Sequence, residues 1–301
     1  FVMETGLVIS IAVVILSAAV YLFIKSKKQI SDASRVVWVI GASSGIGKEV
    51  AIQYAVAGKK VVLSSRSEGK LKEVQQEIIK RTSKPESEYP IVLVDVEKDE
   101  EFPSAVDKVL NLCGSIDVLV ISSGLGIRAF NDETTPEVEK KMMQTNFMGP
   151  ILLAKAALPS MRKQHAGTVV FISSIQGLLA IPVRSSYSGA KHALQGYCDS
   201  LRAEEAANGV NILIVSPAYV KTNHSLNSIT GSGASYNKMD SNTKKGMEPG
   251  ELAEMIRRAV AERRGNLVVA PFYMKAVVVL QYLFPSIIDM AMRKKAQKAR
   301  Q

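Results

Sequence analysis

The chain has 301 residues, 47% hydrophobic and 22% charged, which supplies a sizeable core and excludes a disordered chain. Its formal net charge of +10 gathers beside apolar runs, at Lys25, Lys27 and Lys28 and again at Arg293, Lys294, Lys295, Lys298 and Arg300, a placement that suits a membrane surface and argues against nucleic acid as a partner. With only Cys113 and Cys198 and no Cys/His cluster, a disulfide framework and a structural zinc site are excluded, no metal is expected, and reducing cytosol fits.

The first element is "GLVISIAVVILSAAVYLFI", Gly6 to Ile24. It is uncharged over about 19 residues and as a helix would reach roughly 28 Å, close to the hydrocarbon thickness of a bilayer. A cleaved signal peptide would have a shorter apolar region with basic residues before it. Here Glu4 precedes the run and the three lysines follow it. Residues 1–28 are therefore expected to be a single-pass membrane anchor, and the positive-inside tendency puts the following chain in the cytosol.

From Val36 onward, short β-branched runs alternate with longer helical patterns. "VVWVI" (36–40), "KVVLS" (60–64), "PIVLV" (90–94), "DVLVI" (117–121), "TVVFIS" (168–173), "VNILIV" (210–215) and "NLVVA" (266–270) read as buried strands. Between most of them lie stretches with apolar spacings of three and four. Continuous apolar strands alternating with helices predict an α/β fold: a doubly wound, Rossmann-like parallel sheet of seven strands with helices on both faces, one domain over 34–271.

At the end of the first strand stands "GASSGIG", Gly41, Ser43, Ser44, Gly45, Ile46 and Gly47 included. Glycines between a buried strand and a helix permit a tight turn and close approach of a pyrophosphate to the helix N-terminus. A site for NAD would carry an acidic residue at the tip of the second strand. This chain has Ser65 and Arg66 there, a hydroxyl and a fixed cation suited to a 2′-phosphate, so NADPH is favoured over NADH. Asp95 and Val96 follow the third predicted strand beside the expected adenine, and Gly124 follows the fourth.

"SSYSGAKHAL" places Tyr187 four residues before Lys191. On a helix these are neighbours on one face, so an ammonium could favour the phenolate and lower a pKa that starts near ~10. Joined to the glycine turn, this pair makes residues 34 to 270 resemble the short-chain dehydrogenase/reductase family. The resemblance implies that Ser174, thirteen residues before Tyr187 in "FISSIQG", is the catalytic serine, and that Asn146 in "QTNFMGP" holds a water bridging to the lysine. It also implies that Pro217, Val220 and Thr222 in "SPAYVKTN" lie near the carboxamide. Two positions depart from the family pattern: Ile121-Ser122-Ser123-Gly124 replaces Asn-Asn-Ala-Gly, and Ala218 replaces a glycine. These bear on stability and cofactor affinity more than on chemistry.

The implied reaction is hydride transfer from the nicotinamide to a carbonyl, with Tyr187 as general acid, Lys191 tuning it and Ser174 holding the developing oxyanion. The strings "SSIQG", "IPVRSSYSGAKHA", "LRAE" and "SLNSITGSGASYNKMD" further resemble a membrane-anchored subgroup of the family. That subgroup is associated with reduction of acyl- and alkyl-dihydroxyacetone phosphate in ether-lipid synthesis at peroxisome and endoplasmic reticulum membranes. The family's habit of pairing through the helices bearing Tyr187 and following Asn146 implies a homodimer. A steroid or retinoid substrate, and a catalytically silent nucleotide-binding interaction protein, remain as alternative readings.

Two segments break the β/α alternation. Residues 220–247 lack a hydrophobic period and are rich in Ser, Asn, Thr, Gly and Lys, as expected of a long ordered loop or lid. There Lys221, His224, Lys238, Lys244 and Lys245, with Arg128 and Arg184 from elsewhere, are candidates to meet an anionic head group. Leu226, Ile229, Tyr236 and Met239 are candidates to contact an acyl chain. Residues 272–301 are apolar with a basic tail and interrupted by Lys275, Gln281, Pro285 and Asp289. They suit an interfacial membrane-associating segment better than a second span.

Overall fold

The computed structural model describes residues 34–301, so the expected anchor at 1–28 lies outside the described residues. The chain alternates Val36–Ile40 (β1), Gly45–Val56 (α1), Lys60–Ser64 (β2), Glu68–Thr82 (α2), Phe102–Cys113 (α3), Val118–Ile121 (β3), Pro136–Met143 (α4), Gly149–Gln164 (α5) and Gly167–Ile172 (β4). Ser185–Glu205 (α6), Val210–Pro217 (β5), the short Ser241–Lys244 (α7), Pro249–Ala261 (α8), Asn266–Val269 (β6), Phe272–Leu283 (α9) and Pro285–Arg300 (α10) follow.

All ladders are parallel, in the order β2-β1-β3-β4-β5-β6. Because side chains alternate across a strand, β1 to β5 each feed two cores. Val37, Val39, Val61, Leu63, Val118, Val120, Leu213 and Val215 pack with α1, α2 and α8 on one face. Trp38, Ile40, Val62, Leu119, Ile121, Val169, Phe171 and Ile212 pack with α3, α5 and α6 on the other. Burial on both faces is why these strands read as unbroken apolar runs.

The sheet has six strands, not the expected seven. "PIVLV" runs beside β2 and makes one isolated bridge, Leu63 to Ile91. Its carbonyls are partly diverted: Trp38 Nε1 donates to Ser64 Oγ at 2.8 Å, and Ser64 Oγ donates to the Val92 carbonyl at 2.5 Å. A side-chain hydroxyl thus takes an acceptor that a ladder N–H would use, and Pro90 has no N–H to offer on an edge. The segment still buries Val92 and Val94 and leaves Leu93 exposed, so its alternation is that of an edge.

The segment 220–247 is pinned at its ends and its middle. Val220 bridges Met247, Met247 N donates to the Tyr219 carbonyl at 3.0 Å, and Ile229 bridges Ile127. Helices α9 and α10 return to the domain: Gln281 Nε2 donates to the Leu178 carbonyl at 2.6 Å, and the Arg300 guanidinium lies 4.3 Å from the Phe130 ring centroid. Their other face leaves Phe272, Tyr282, Leu283, Phe284, Ile287 and Met290 exposed. Among the described residues no single helix is long and apolar enough to cross a membrane; α9 and α10 pass only as a pair bent by 120°.

Candidate active site

The C-terminal strand ends open onto a cavity of about 750 Å³, where ligands of open α/β sheets bind. The glycine turn forms one wall. Gly41 adopts φ +79° and Gly41 N and Ala42 N both donate to the Ser64 carbonyl, at 2.8 and 3.0 Å, which fastens the turn to β2. Ser44 precedes α1 without a side-chain cap, so the first N–H groups of that helix are available to an anion. A Cβ on Gly47 would stand 2.3 Å from the Gly41 carbonyl oxygen. Gly47 therefore serves the packing of helix on turn and is not itself in the cavity lining.

Of the residues the sequence assigns to the cofactor, Gly41, Ser43, Ser44, Gly45, Ile46, Ser65, Arg66, Val96, Gly124, Pro217, Val220 and Thr222 line the cavity. Asp95 does not: its Oδ1 accepts the Glu97 N–H at 3.1 Å and closes a local turn. Glu97, which the sequence reading missed, lines the cavity in its place. Its carboxylate accepts Thr145 Oγ1 at 3.0 Å and lies 3.7 Å from both Arg66 and Lys141. With Lys70 also in the lining, this end of the cavity presents three cations and one carboxylate.

Two buried polar atoms face the cavity without a partner among the described residues: Ser123 Oγ and Gln176 Oε1. Buried polar atoms are ordinarily hydrogen-bonded, so both have bonding capacity left unused beside the cavity. The uncapped helix N-terminus and the cationic end supply donors and positive charge, the Ser123 hydroxyl can donate or accept and the Gln176 amide oxygen accepts, a set that fits a nicotinamide dinucleotide.

Ser174, Tyr187 and Lys191 meet on the opposite wall. Ser174 caps a short turn after β4, its Oγ accepting the Gln176 N–H at 3.1 Å, and its hydroxyl lies near enough to Tyr187 to pull against the effect of burial on the phenol. Tyr187 and Lys191 stand one turn apart on α6 as predicted, with Lys191 Nζ 5.8 Å from the Tyr187 ring centroid. The electrostatics differ from the expectation. Burial raises the Tyr187 pKa above its ordinary 10, against the lowering effects of Ser174, Arg184 and Arg128. Lys191 donates to the Ile172 carbonyl at 3.0 Å, and burial pulls its own pKa down to about 8. In the protein alone, then, the phenol is held in its proton-donating form.

Asn146 lies in a π-helical turn, Gln144–Met148, between α4 and α5. Such bulges insert one residue into a helix and recur at functional sites. Fully buried, it is not in the cavity lining. Its Oδ1 accepts the Leu125 N–H at 3.1 Å, and its Nδ2 donates to the Leu125 and Met142 carbonyls, both at 3.0 Å. A Cβ on Gly124 would lie 3.2 Å from Asn146 Oδ1 and 3.9 Å from Lys191 Nζ. Asn146 thus fixes the loop that separates it from the lysine.

Of the substrate candidates, Arg184, Arg128, His224 and Ile229 line the cavity; Tyr236, Leu226, Met239, Lys221, Lys238, Lys244 and Lys245 do not. Lys221 pairs with Glu248, and Tyr236 stands 5.8 Å under the Arg128 guanidinium, outside the cavity. The His224 ring is tilted 5.8 Å from Tyr187, and burial first, then Lys191, Arg128 and Arg184, lower its pKa to about 4. It is neutral at neutral pH. The apolar wall comes chiefly from segments the sequence reading left aside: Leu179 and Ile181 after β4, and Tyr273, Met274, Val277 and Met292 of α9 and α10. No local sequence signal points to α9 and α10, because their role depends on how the chain returns.

Residues 35–231 match a family model described as short chain dehydrogenase. The chain is 40% identical over 279 residues to dehydrogenase/reductase SDR family member 7B of Xenopus tropicalis, covering 92% of this chain and 90% of that one. It is 38% identical over 264 residues to an SDR family protein 7-like of Drosophila melanogaster, covering 88% and 81%. Among solved structures it resembles an alcohol dehydrogenase from the archaeon Thermococcus sibiricus complexed with 5-hydroxy-NADP, with 25% identity, TM-score 0.67 and coverage of 79% and 97%. A short-chain dehydrogenase/reductase from Burkholderia phymatum in complex with NAD shares the fold, with TM-score 0.74, 23% identity and coverage of 84% and 95%.

Proposed function

Because the chain belongs to the short-chain dehydrogenase/reductase family, oxidoreductases acting on CH–OH and C=O groups, we propose that it is an NADPH-dependent reductase of a lipid ketone, of the acyl- or alkyl-dihydroxyacetone phosphate type. The observation that carries this reading is the convergence of Ser174, Tyr187 and Lys191 on a cavity that begins at the glycine turn and ends against apolar residues.

A reduced nicotinamide, when bound, supplies the hydride. The residues of the chain do the rest. Ser174 Oγ holds the carbonyl oxygen where negative charge develops. Tyr187 gives that oxygen its proton, a transfer typically worth 10²- to 10⁴-fold. Lys191, fixed by the Ile172 carbonyl, keeps a positive charge beside the phenol as it loses the proton. Arg66, Lys70 and Lys141 outnumber Glu97 at the other end, and this charge balance supports a 2′-phosphate. The exposed apolar face of α9 and α10 and the run from Gly6 to Ile24 support work at a membrane. On this reading the enzyme is a single-pass, homodimeric protein of the endoplasmic reticulum or peroxisome membrane with its catalytic domain in the cytosol.

The test is oxidation of NADPH and of NADH by the full chain in detergent, offered acyl-dihydroxyacetone phosphate, a steroid ketone and retinal. Preferential turnover of the first with NADPH is expected. A preference for NADH, or for the steroid or the retinoid, removes the corresponding part of the proposal.

A further inference from the structure

Beyond Tyr187 the cavity is lined by three cations from three distant segments: Arg128 after β3, Arg184 before α6 and Lys295 of α10. The two guanidinium groups are largely buried, their side chains 12% exposed, while Lys295 stands at the exposed mouth. They share one carboxylate. Asp240, the one acidic residue between Lys221 and Met247, accepts Arg184 Nη2 at 2.8 Å and lies 3.6 Å from Arg128 Nη2. Asp240 is itself tied back, its Oδ1 accepting the Asn242 N–H at 2.9 Å and its N–H donating to Ser225 Oγ at 3.2 Å.

Asp240 is not in the cavity lining, and among the described residues the only carboxylate that is, Glu97, stands at the opposite end beside Arg66. Behind the arginines one negative charge faces three positive ones. Burying guanidinium groups without full compensation is costly, and the fold invests further in keeping them there. Val183 takes φ +68° directly before Arg184, a conformation that β-branched residues rarely adopt. The Ala129 N–H holds the Val183 carbonyl at 3.1 Å. The Arg128 backbone is likewise pinned, its N–H donating to the Ile229 carbonyl at 2.9 Å. Burial and the neighbouring Arg184 both depress the Arg128 and Lys295 pKa values, against the opposing pull of Asp240. One carboxylate, Asp240, thus serves both arginines.

We infer that Arg128, Arg184 and Lys295 form a subsite for a dianionic group, a phosphate monoester carried a few bonds from the reacting carbonyl, with Asp240 as the internal counter-ion that holds the two arginines in place. This deepens the proposed function and rests on it for the position of the carbonyl beside Tyr187. It also gives α10 a part in substrate binding, since Lys295 reaches the cavity from the membrane-facing end of the chain. Planar guanidinium groups suit phosphate recognition because they donate in pairs. Lys221, Lys238, Lys244 and Lys245, the lid cations nearest in sequence, stand outside the cavity and take no part.

The experiment measures KM for a phosphorylated ketone and for its dephosphorylated form, with the full chain in detergent and saturating NADPH. Arg128→Gln is expected to raise KM for the phosphorylated ketone about 10-fold or more, as loss of a charge-assisted bond does, and to leave the neutral ketone within about 2-fold. Lys295→Gln, at an exposed and screened position, is expected to raise the former by about 3-fold. Lys244→Gln should change neither. Equal effects on both ketones, or none on either, overturn the subsite. If neither ketone is turned over, the lipid-ketone reading falls separately. The subsite is then judged by glycerol 3-phosphate as probe, which must raise the Tm of the NADPH-bound wild type and raise that of Lys295→Gln less. Absence of protection in the wild type rejects it.

Discussion

The ammonium of Lys191 stands 5.8 Å from the centroid of the Tyr187 ring, while its hydrogen bond goes to the Ile172 carbonyl at the end of β4. The lysine is therefore aimed by the sheet and not by the phenol, and burial keeps the Tyr187 phenol protonated. An intact phenol is what a reductase needs at the start of each turnover. Tyr187→Phe removes the proton and nothing else of the ring's packing. It is expected to lower kcat by about 10²- to 10⁴-fold while NADPH binding, followed by cofactor fluorescence, stays within about 2-fold. Retention of more than a tenth of the wild-type kcat would refute the assignment.

The low pKa of Lys191 sets a pH dependence. Burial brings it to about 8 from its ordinary 10.5, so the folded protein sheds this proton while an unfolded chain still holds it. The penalty on folding is present in full below about pH 8 and vanishes above 10.5, and this group's contribution to stability improves as pH rises through that window. Activity runs the other way. As the ammonium neutralises, the charge beside the ionising phenol disappears, and kcat for reduction is expected to fall through about pH 8. The matching control is Lys191→Met, whose low rate should show no basic limb at that pH; a limb unchanged in the variant would belong to another group.

Much of this arrangement is legible in the sequence because it is local. The glycine turn and the Tyr187–Lys191 spacing each sit within a strand end or one helical turn, and short-range geometry decides them; Ser174 comes from the family resemblance. Six of the seven predicted strands pair because continuous Val/Ile runs have only a doubly covered sheet to enter. The seventh stops at a single bridge because the Ser64 hydroxyl takes the Val92 carbonyl and Pro90 has no N–H to give, the first a contact between segments that its own apolar run does not reveal. The parts that were not legible depend on chain return. Glu97 displaces Asp95 because the latter's carboxylate is spent on a turn. The substrate wall is built from α9 and α10 in place of most of the lid's own apolar residues, a matter of long-range packing that no spacing encodes.

Gly47 tests the glycine turn as a packing device. An alanine Cβ would meet the Gly41 carbonyl oxygen at 2.3 Å and the Gly41 carbonyl carbon at 2.8 Å. Both are backbone atoms fixed by β1 and by the bonds to Ser64, so neither can step aside cheaply. Gly47→Ala is expected to cost about 1–3 kcal/mol of stability, as overpacking does, and to weaken NADPH binding by shifting the helix N-terminus. Gly69→Ala is the comparison, since a Cβ there meets nothing within 4 Å and a Gly→Ala change at a compatible position gains about 0.4–1 kcal/mol by restricting the unfolded chain. Thermal unfolding of the two variants should move in opposite directions.

A last prediction concerns the far end of α6, where Glu205 is 1% exposed and receives the Arg162 guanidinium in a bidentate pair. Asn208 Nδ2 adds a third donor at 2.9 Å. The bond to Arg162, ahead of all other causes, holds the Glu205 carboxyl below its ordinary 4.5. Its contribution to stability is therefore present at neutral pH and lost as pH falls through the lowered folded value. Arg162 is itself nearly half exposed, so its removal leaves a buried carboxylate partly screened and still bonded to Asn208. Arg162→Ala is expected to cost about 1–3 kcal/mol in denaturant unfolding at pH 7. In Arg162→Ala the acid-side loss of stability should begin at a higher pH than in the wild type, because the carboxyl then protonates earlier. An unchanged acid transition would mean that Asn208 and the helix backbone alone keep Glu205 ionised.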